Sequence, residues 1–124
     1  MTNVQLFENI LVIFFRHQLK IKLFHFQTKC YSAHKASDSY LGKFEENLDK
    51  FMEVAQGFVG RLTIKKMTIH FNALNDDNII EELGKFRLIL KMFDKLMANN
   101  TELLNIRDEM LGDVEQFTYL LTFK

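Results

Sequence analysis

Four side chains of the kinds that bind iron or zinc recur along one short stretch of the chain. His34, Asp38, Asp49 and Glu53 are separated by three, ten and three intervening residues. On an α-helix these four positions lie within about 100° of one another around the helix axis. Imidazole and carboxylate groups are common ligands of divalent transition metals. The spacing therefore predicts a metal-binding face on a single helix, beside the face that carries the apolar residues.

The two halves of this face are too far apart to bind one metal ion. His34 and Asp38 are centred about 15 residues before Asp49 and Glu53, which is roughly 22 Å along a helix. Two antiparallel copies of the helix, related by a two-fold axis beside Gly42, would bring the first half of one copy to the second half of the other. The sequence thus predicts a homodimer, or a larger homo-oligomer, with two identical metal sites across each pair of helices.

The other side chains that could bind a metal or take part in a reaction are few and isolated in the sequence. His25 ends the preceding predicted helix and would add a second imidazole to the site. His17 and His70 have no carboxylates at ligand spacing and are predicted to be surface or half-buried histidines. The single cysteine, Cys30, is predicted to be a structural thiol. No catalytic residue is predicted beyond the metal ligands, and a solvated charged helix face is the alternative interpretation of the whole string.

The elements that must position this face are helices, because apolar residues recur at three- and four-residue spacing. We predict a first helix over about residues 4–27 with Asn3 as its cap, and a second over about residues 32–56 with Ser32 as its cap. Gly57 and Gly60 are expected to end the second helix. Two further helices are predicted over about residues 79–97 and 101–121.

The segment Arg61–Leu74 interrupts the helical pattern with apolar residues at alternate positions on either side of Lys65 and Lys66. We interpret it as an extended or irregular crossover, since two lysines are poor turn residues for a hairpin. Asn75–Asn78 is a helix-start cluster. Short connections within each pair of helices and a long one between the pairs are typical of ferritin-like folds. The predicted fold class is all-α, a ferritin-like four-helix bundle in which residues 1–124 form a single domain.

Composition and charge exclude several classes of protein. The chain has 124 residues, of which 48% are hydrophobic and 26% are charged, as in an ordinary globular domain. The formal net charge is zero, so the basic footprint of a dedicated nucleic-acid binder is absent. The longest apolar run is Ile10–Phe15, whereas a membrane-spanning helix needs about 20 apolar residues. We therefore predict no membrane partner, and the N-terminus has no signal-peptide pattern.

The run His25-Phe26-Gln27, followed by the string above, resembles the intersubunit iron site of the Dps miniferritins (DNA protection during starvation). The resemblance implies that His25 and His34 of one subunit bind iron together with Asp49 and Glu53 of its dimer mate. Asp38 would be a supporting or additional ligand. The resemblance also implies that bound ferrous iron is oxidised by peroxide or oxygen and sequestered as ferric iron.

The chain departs from the pattern of that family in several respects. The interval between His25 and His34 is shorter by about one helical turn, and Phe26 stands where the family usually has tryptophan. The chain is shorter than typical members and lacks their basic N-terminal tail, so DNA binding is expected to be weak or absent. The shortened form is similar to small proteins encoded by viruses and phages. The expected location is the cytoplasm, with a virion or the cytoplasm of an infected host as the alternative.

Two other functions are compatible with the same residues. In the first, the chain is a structural or interaction protein, viral in origin, that keeps the bundle without the chemistry. In the second, the ligands hold zinc or another divalent ion without turnover.

Overall fold

The computed structural model describes residues 2–123, and within that range it contains helices and no strands. In chain order the helices are α1 (Asn3–Gln27), α2 (Tyr31–Val59), α3 (Ile79–Lys91), the single turn α4 (Phe93–Leu96) and α5 (Thr101–Leu120). Because α3 and α4 follow one another almost directly, the molecule has four helical segments arranged as a bundle. The all-α prediction and the approximate position of every segment are confirmed.

The order of the connections produces two helical hairpins. Three residues join α1 to α2, and residues 60–78 join α2 to α3 without regular structure. Helix α2 packs against α1 on one side and against α5 on the other. Along the connection, the apolar residues from Leu62 to Phe71 are half-buried and alternate with exposed polar residues, as the alternating sequence predicted. This is the arrangement of a ferritin-like bundle, with one long crossover between its hairpins.

Phenylalanine rings fill the middle of the bundle. The ring of Phe14 on α1 is fully buried and contacts rings from α2, α3 and α4. The centroid distances are 5.9 Å to Phe44, 5.2 Å to Phe51, 6.5 Å to Phe86 and 6.1 Å to Phe93. Such tilted and edge-on ring pairs add to the stability that apolar burial supplies. These rings form one connected cluster that joins α1 to α2, α3 and α4.

The helix ends differ from the sequence prediction by a few residues. Thr2, rather than Asn3, caps α1, because its hydroxyl accepts from the backbone of Gln5 while the Gln5 side chain accepts from Thr2. Helix α2 begins after Cys30, without a side-chain cap, so Ser32 lies inside the helix. It also continues past Gly57 to Val59, and Gly60 ends it with a φ of 95°. A φ in this region is easily adopted only by glycine.

The third segment, predicted as continuous to residue 97, is interrupted at Met92. The backbone N–H of Met92 donates to both Leu88 and Ile89, which tightens the last turn of α3. Beside the break lies Arg107 of α5, only 5% exposed. Its Nη1 donates to the carbonyl oxygen of Leu90 at 2.8 Å, and its Nη2 pairs with Asp94 in α4. One buried guanidinium therefore joins α3, α4 and α5 at the interruption.

Replacing Arg107 with methionine is expected to lower the free energy of unfolding by about 2 kcal/mol, because a buried charged donor to Leu90 and Asp94 is lost. The measurement is urea denaturation followed by circular dichroism. Arg87→Met is the matched control, since Arg87 pairs with Glu115 at the surface and should cost about 0.5 kcal/mol or less. Equal losses from the two substitutions would show that Arg107 does not stabilise the interruption.

Candidate metal centre

His25 and His34 come together where α1 turns into α2. His25 is in the last turn of α1 and is buried, while His34 is in the first turns of α2 and is half-buried. The two imidazole rings are stacked, with centroids 3.9 Å apart and planes inclined by 17°. The short turn between them is held by Asp76, which accepts hydrogen bonds from the Thr28 hydroxyl and the Lys29 backbone. Two of the five predicted ligands are thus adjacent within one chain.

Reciprocal hydrogen bonds fix the orientation of both rings. Nδ1 of His34 donates to the backbone oxygen of His25 at 2.8 Å, and Nδ1 of His25 lies 3.0 Å from the backbone oxygen of His34. The fully buried Ser37 completes the set, since its Oγ lies 2.9 Å from Nδ1 of His25 and donates to the His34 carbonyl. Carbonyl oxygens only accept hydrogen bonds, so both Nδ1 atoms carry hydrogen.

The opposite nitrogen of each ring, Nε2, is the one available for a ligand. When Nδ1 carries the hydrogen of a neutral imidazole, the lone pair is on Nε2. Within residues 2–123 neither His25 nor His34 uses Nε2 in a hydrogen bond, and no buried side-chain nitrogen or oxygen lacks a partner. Neither Nε2 atom is therefore fully buried. Metal-binding histidines are commonly held in this way, with the other nitrogen donating to a backbone carbonyl.

The three predicted carboxylate ligands lie along α2 and remain apart from the histidine pair. Asp38, Asp49 and Glu53 are exposed, and none forms a hydrogen bond or ion pair with another described residue. Within residues 2–123 no group of three or more histidine, cysteine, aspartate or glutamate side chains could hold a metal ion. The chain by itself therefore offers two imidazoles at one end of the face and unpaired carboxylates along it.

Exposed aromatic rings lie beside the histidine pair, and lysine ammonium groups lie over two of them, Lys22 over Phe26 and Lys35 over Tyr31. Phe26 is 68% exposed and lies edge-on to His25, while Tyr31 is 72% exposed and is stacked over His34. Further along α1, Leu19 is 45% exposed and lines a shallow groove against Leu41 of α2. Exposed apolar side chains grouped in this way are typical of surfaces that bind another molecule.

Cys30 is the free thiol at the start of α2. Its Sγ lies 3.1 Å from the Ser32 hydroxyl. Hydrogen bonds from that hydroxyl and from the backbone N–H of Ala33 lower the pKa of this half-buried thiol, against a smaller opposing effect of burial. Cys30 lines an open hollow with His34 but joins no group of ligands among the described residues.

His17, which the sequence left isolated, occupies a specific position in the core. Its Nε2 lies 2.6 Å from the Tyr40 hydroxyl, and its ring is stacked on Phe86 at a centroid distance of 3.5 Å. Burial, with a smaller effect from the Lys20 charge, lowers the pKa of His17 to about 3. Burial also raises the pKa of Tyr40, with Asp113 adding to the effect. Both groups are therefore neutral near pH 7.

Sequence reasoning missed Ser37, Asp76 and Tyr40, each of which orients a histidine or the turn beside it. The hydrogen bonds to His25, Thr28 and His17 that give them these roles join residues 12 to 48 positions apart in the chain, so local sequence does not reveal them. Of these three residues, only Ser37 could have been found from local sequence. A serine three residues after a helical histidine is placed so that its hydroxyl can donate to the carbonyl of that histidine.

None of the helices in residues 2–123 combines the length and the apolar character that a membrane span requires. A family model described as "Family of unknown function (DUF5856)" matches residues 25–121, a range that begins at His25 and includes every predicted metal ligand. No curated protein and no solved structure matches the chain.

Proposed function

The chain belongs to DUF5856, a family of unknown function, and we propose that it is a miniferritin-like protein that binds and oxidises ferrous iron at a site shared by two subunits. The observation that carries the proposal is the His25–His34 pair, whose Nδ1 atoms are both engaged by backbone carbonyls. This arrangement leaves the Nε2 atom of each ring without a hydrogen-bond partner, and because the stacked rings are nearly parallel, one ring must turn for both atoms to bind the same cation.

A second copy of the chain would complete the ligand set. The histidine end and the carboxylate end of the α2 face are separated by roughly 22 Å, so an antiparallel pair of α2 helices brings each end to its counterpart. The two-fold axis would pass beside Gly42, where an added Cβ would meet no atom of the chain within 4 Å. Exposed Leu19 and Phe26 on α1 flank this face and would be covered by the pairing. Asp49 and Glu53 of the second copy would then face His25 and His34.

The mixed ligand set suits iron that changes its oxidation state. Neutral imidazoles bind ferrous iron, while the hard, anionic oxygens of Asp49 and Glu53 favour the ferric ion that forms. Two ferrous ions would each give one electron to one hydrogen peroxide, which takes up two protons and leaves as two water molecules. Reduction of one oxygen molecule to water would take four ferrous ions and four protons. Asp38 and Glu45 are exposed on the same face and would draw cations towards the site or receive iron after oxidation.

The proposal is tested by anaerobic titration with ferrous iron, followed by addition of hydrogen peroxide and by measurement of the assembly mass. We expect about one ferrous ion per chain in an assembly of even subunit number, because each two-fold axis relates two identical sites. Oxidation should then be faster than in protein-free buffer. Glu109→Ala, which removes an exposed carboxylate from α5, is the control and should behave as the wild type.

Other results of the same experiment would distinguish the two alternative functions. Stoichiometric binding of zinc and ferrous iron without accelerated oxidation would identify a non-redox metal site. A monomer that binds no divalent ion would favour a structural or interaction protein. Weak DNA binding that disappears as salt rises is still expected, because the net charge is zero.

A further inference from the structure

A small cleft lies between α1 and α3, on a different part of the molecule from the histidine pair. Its volume is about 100 Å³, and the side chains that form its apolar wall come from both helices and include Ile13, Ile21, Leu83 and Ile89. Both helices also contribute polar groups to the lining, namely Arg16, His17, Lys20, Lys85 and Glu82. Apolar pockets with a few convergent polar groups are typical of small-molecule sites.

His17 presents a hydrogen-bond donor to this cleft. The Tyr40 hydroxyl is buried and has no other partner among the described residues, so its hydrogen is satisfied only if it donates to Nε2 of His17. The neutral ring then carries its own hydrogen on Nδ1. Nδ1 has no partner within residues 2–123 and is not a fully buried unpaired atom. Because His17 lines the cleft, we infer that Nδ1 is reached from there. Stacking on Phe86 holds the ring in this orientation.

The charges at the cleft leave one cation without a partner. Glu82 accepts from Lys20 and Lys85, each at 3.3 Å, and Lys85 also lies 3.8 Å from Glu81, so these two acids balance the two lysines. Arg16 is half-buried and pairs with no residue that the structure describes. A guanidinium offers parallel donors that match the two oxygens of a carboxylate. The cleft therefore combines an unpaired Arg16, the Nδ1 donor of His17 and an apolar wall.

We propose that this cleft binds a small organic carboxylate, with its oxygens on Arg16 and Nδ1 of His17 and its apolar body against the isoleucines and Leu83. An engineered cavity of about 150 Å³ accepts benzene, so the smaller cleft fits a short branched aliphatic acid. A bare phosphate would leave the apolar wall uncovered and would place more negative charge beside Glu82. The site does not depend on the proposed iron chemistry.

The test is titration of the whole protein with isobutyrate, followed by the imidazole ¹⁵N signals of His17 and by calorimetry. We expect isobutyrate to move the Nδ1 signal of His17, while isobutanol, the neutral analogue, and inorganic phosphate bind at least about ten-fold more weakly. Arg16→Gln should weaken isobutyrate binding at least about ten-fold. Arg61→Gln, in the exposed crossover, is the matched control and should leave binding unchanged.

Three results would overturn the proposal. They are an unmoved His17 signal, isobutanol binding as tightly as isobutyrate, and phosphate binding more tightly than either. The wild-type signal decides the matter even if Arg16→Gln does not fold. Because the iron site is elsewhere, His34→Ala should retain isobutyrate binding, so failure of one site is distinguishable from failure of the other.

Discussion

The free energy of unfolding is expected to fall by about 1.4 kcal/mol for each pH unit below 6.5 through His17 alone. Burial lowers the pKa of this imidazole from 6.5 to about 3 in the folded protein. Between those values the unfolded chain binds one more proton at this residue than the folded chain does. Protonation therefore favours unfolding, and the stability is fully present above pH 6.5 and lost progressively as the pH falls towards 3.

From about pH 5 to pH 6.5 ordinary carboxylates remain largely ionised, and comparison with a His17 variant separates the effect of His17 from that of the other three histidines. In that window we would measure the unfolding free energy of the wild type and of His17→Gln, in which the amide oxygen can still accept from Tyr40. In the variant, the slope of the unfolding free energy against pH should be smaller by up to about 1.4 kcal/mol per pH unit, which corresponds to one bound proton. His70→Gln provides the control, since His70 is exposed in the crossover. Identical slopes for the wild type and His17→Gln would show that His17 is not held neutral by its surroundings.

The helices were predictable because their apolar periodicity is a local property of the sequence. The alternation on either side of Lys65 and Lys66 likewise predicted an extended or irregular crossover, and in the structure its apolar residues are half-buried while the polar residues between them are exposed. The interruption at Met92 was not predictable, because its stabilising group is Arg107, from a helix that follows later in the chain. The apolar periodicity around Met92 does not show that a guanidinium from another helix binds there.

The candidate site, like the fold, was predictable from the sequence only in part. Motif spacing brought His25 and His34 together as candidates, and the structure brings the two rings into contact. Spacing could not reveal that each Nδ1 is held by the carbonyl of the other histidine, since this depends on the path of the turn between the helices. It also left His17 isolated, because its partner Tyr40 is 23 residues away. In the proposed dimer the carboxylates meet the histidines only across a second copy, so the fold of one chain does not bring them together.

His34→Ala and Glu53→Ala are each expected to abolish most iron binding and oxidation, because a shared site loses either an imidazole or an anionic oxygen. Mixing the two inactive variants should nevertheless restore activity. In a mixed dimer, one site combines the intact His34 of one chain with the intact Glu53 of the other, while the second site lacks both ligands. Each mixed dimer should therefore recover half of the normal activity. Random exchange of subunits should restore about a quarter of the activity overall.

Subunit exchange must be demonstrated independently, for example by mass spectrometry of one variant labelled with ¹⁵N. The matched control mixes His34→Ala with His25→Ala, since both substitutions affect the same half of the site and every mixed dimer keeps two damaged sites. That mixture should remain inactive at any ratio. Sites contained within one subunit would give no recovery in either mixture, despite complete exchange. If neither His34→Ala nor Glu53→Ala changes iron binding, these residues form only a charged helix face, and the structural or interaction function becomes the better explanation of the fold.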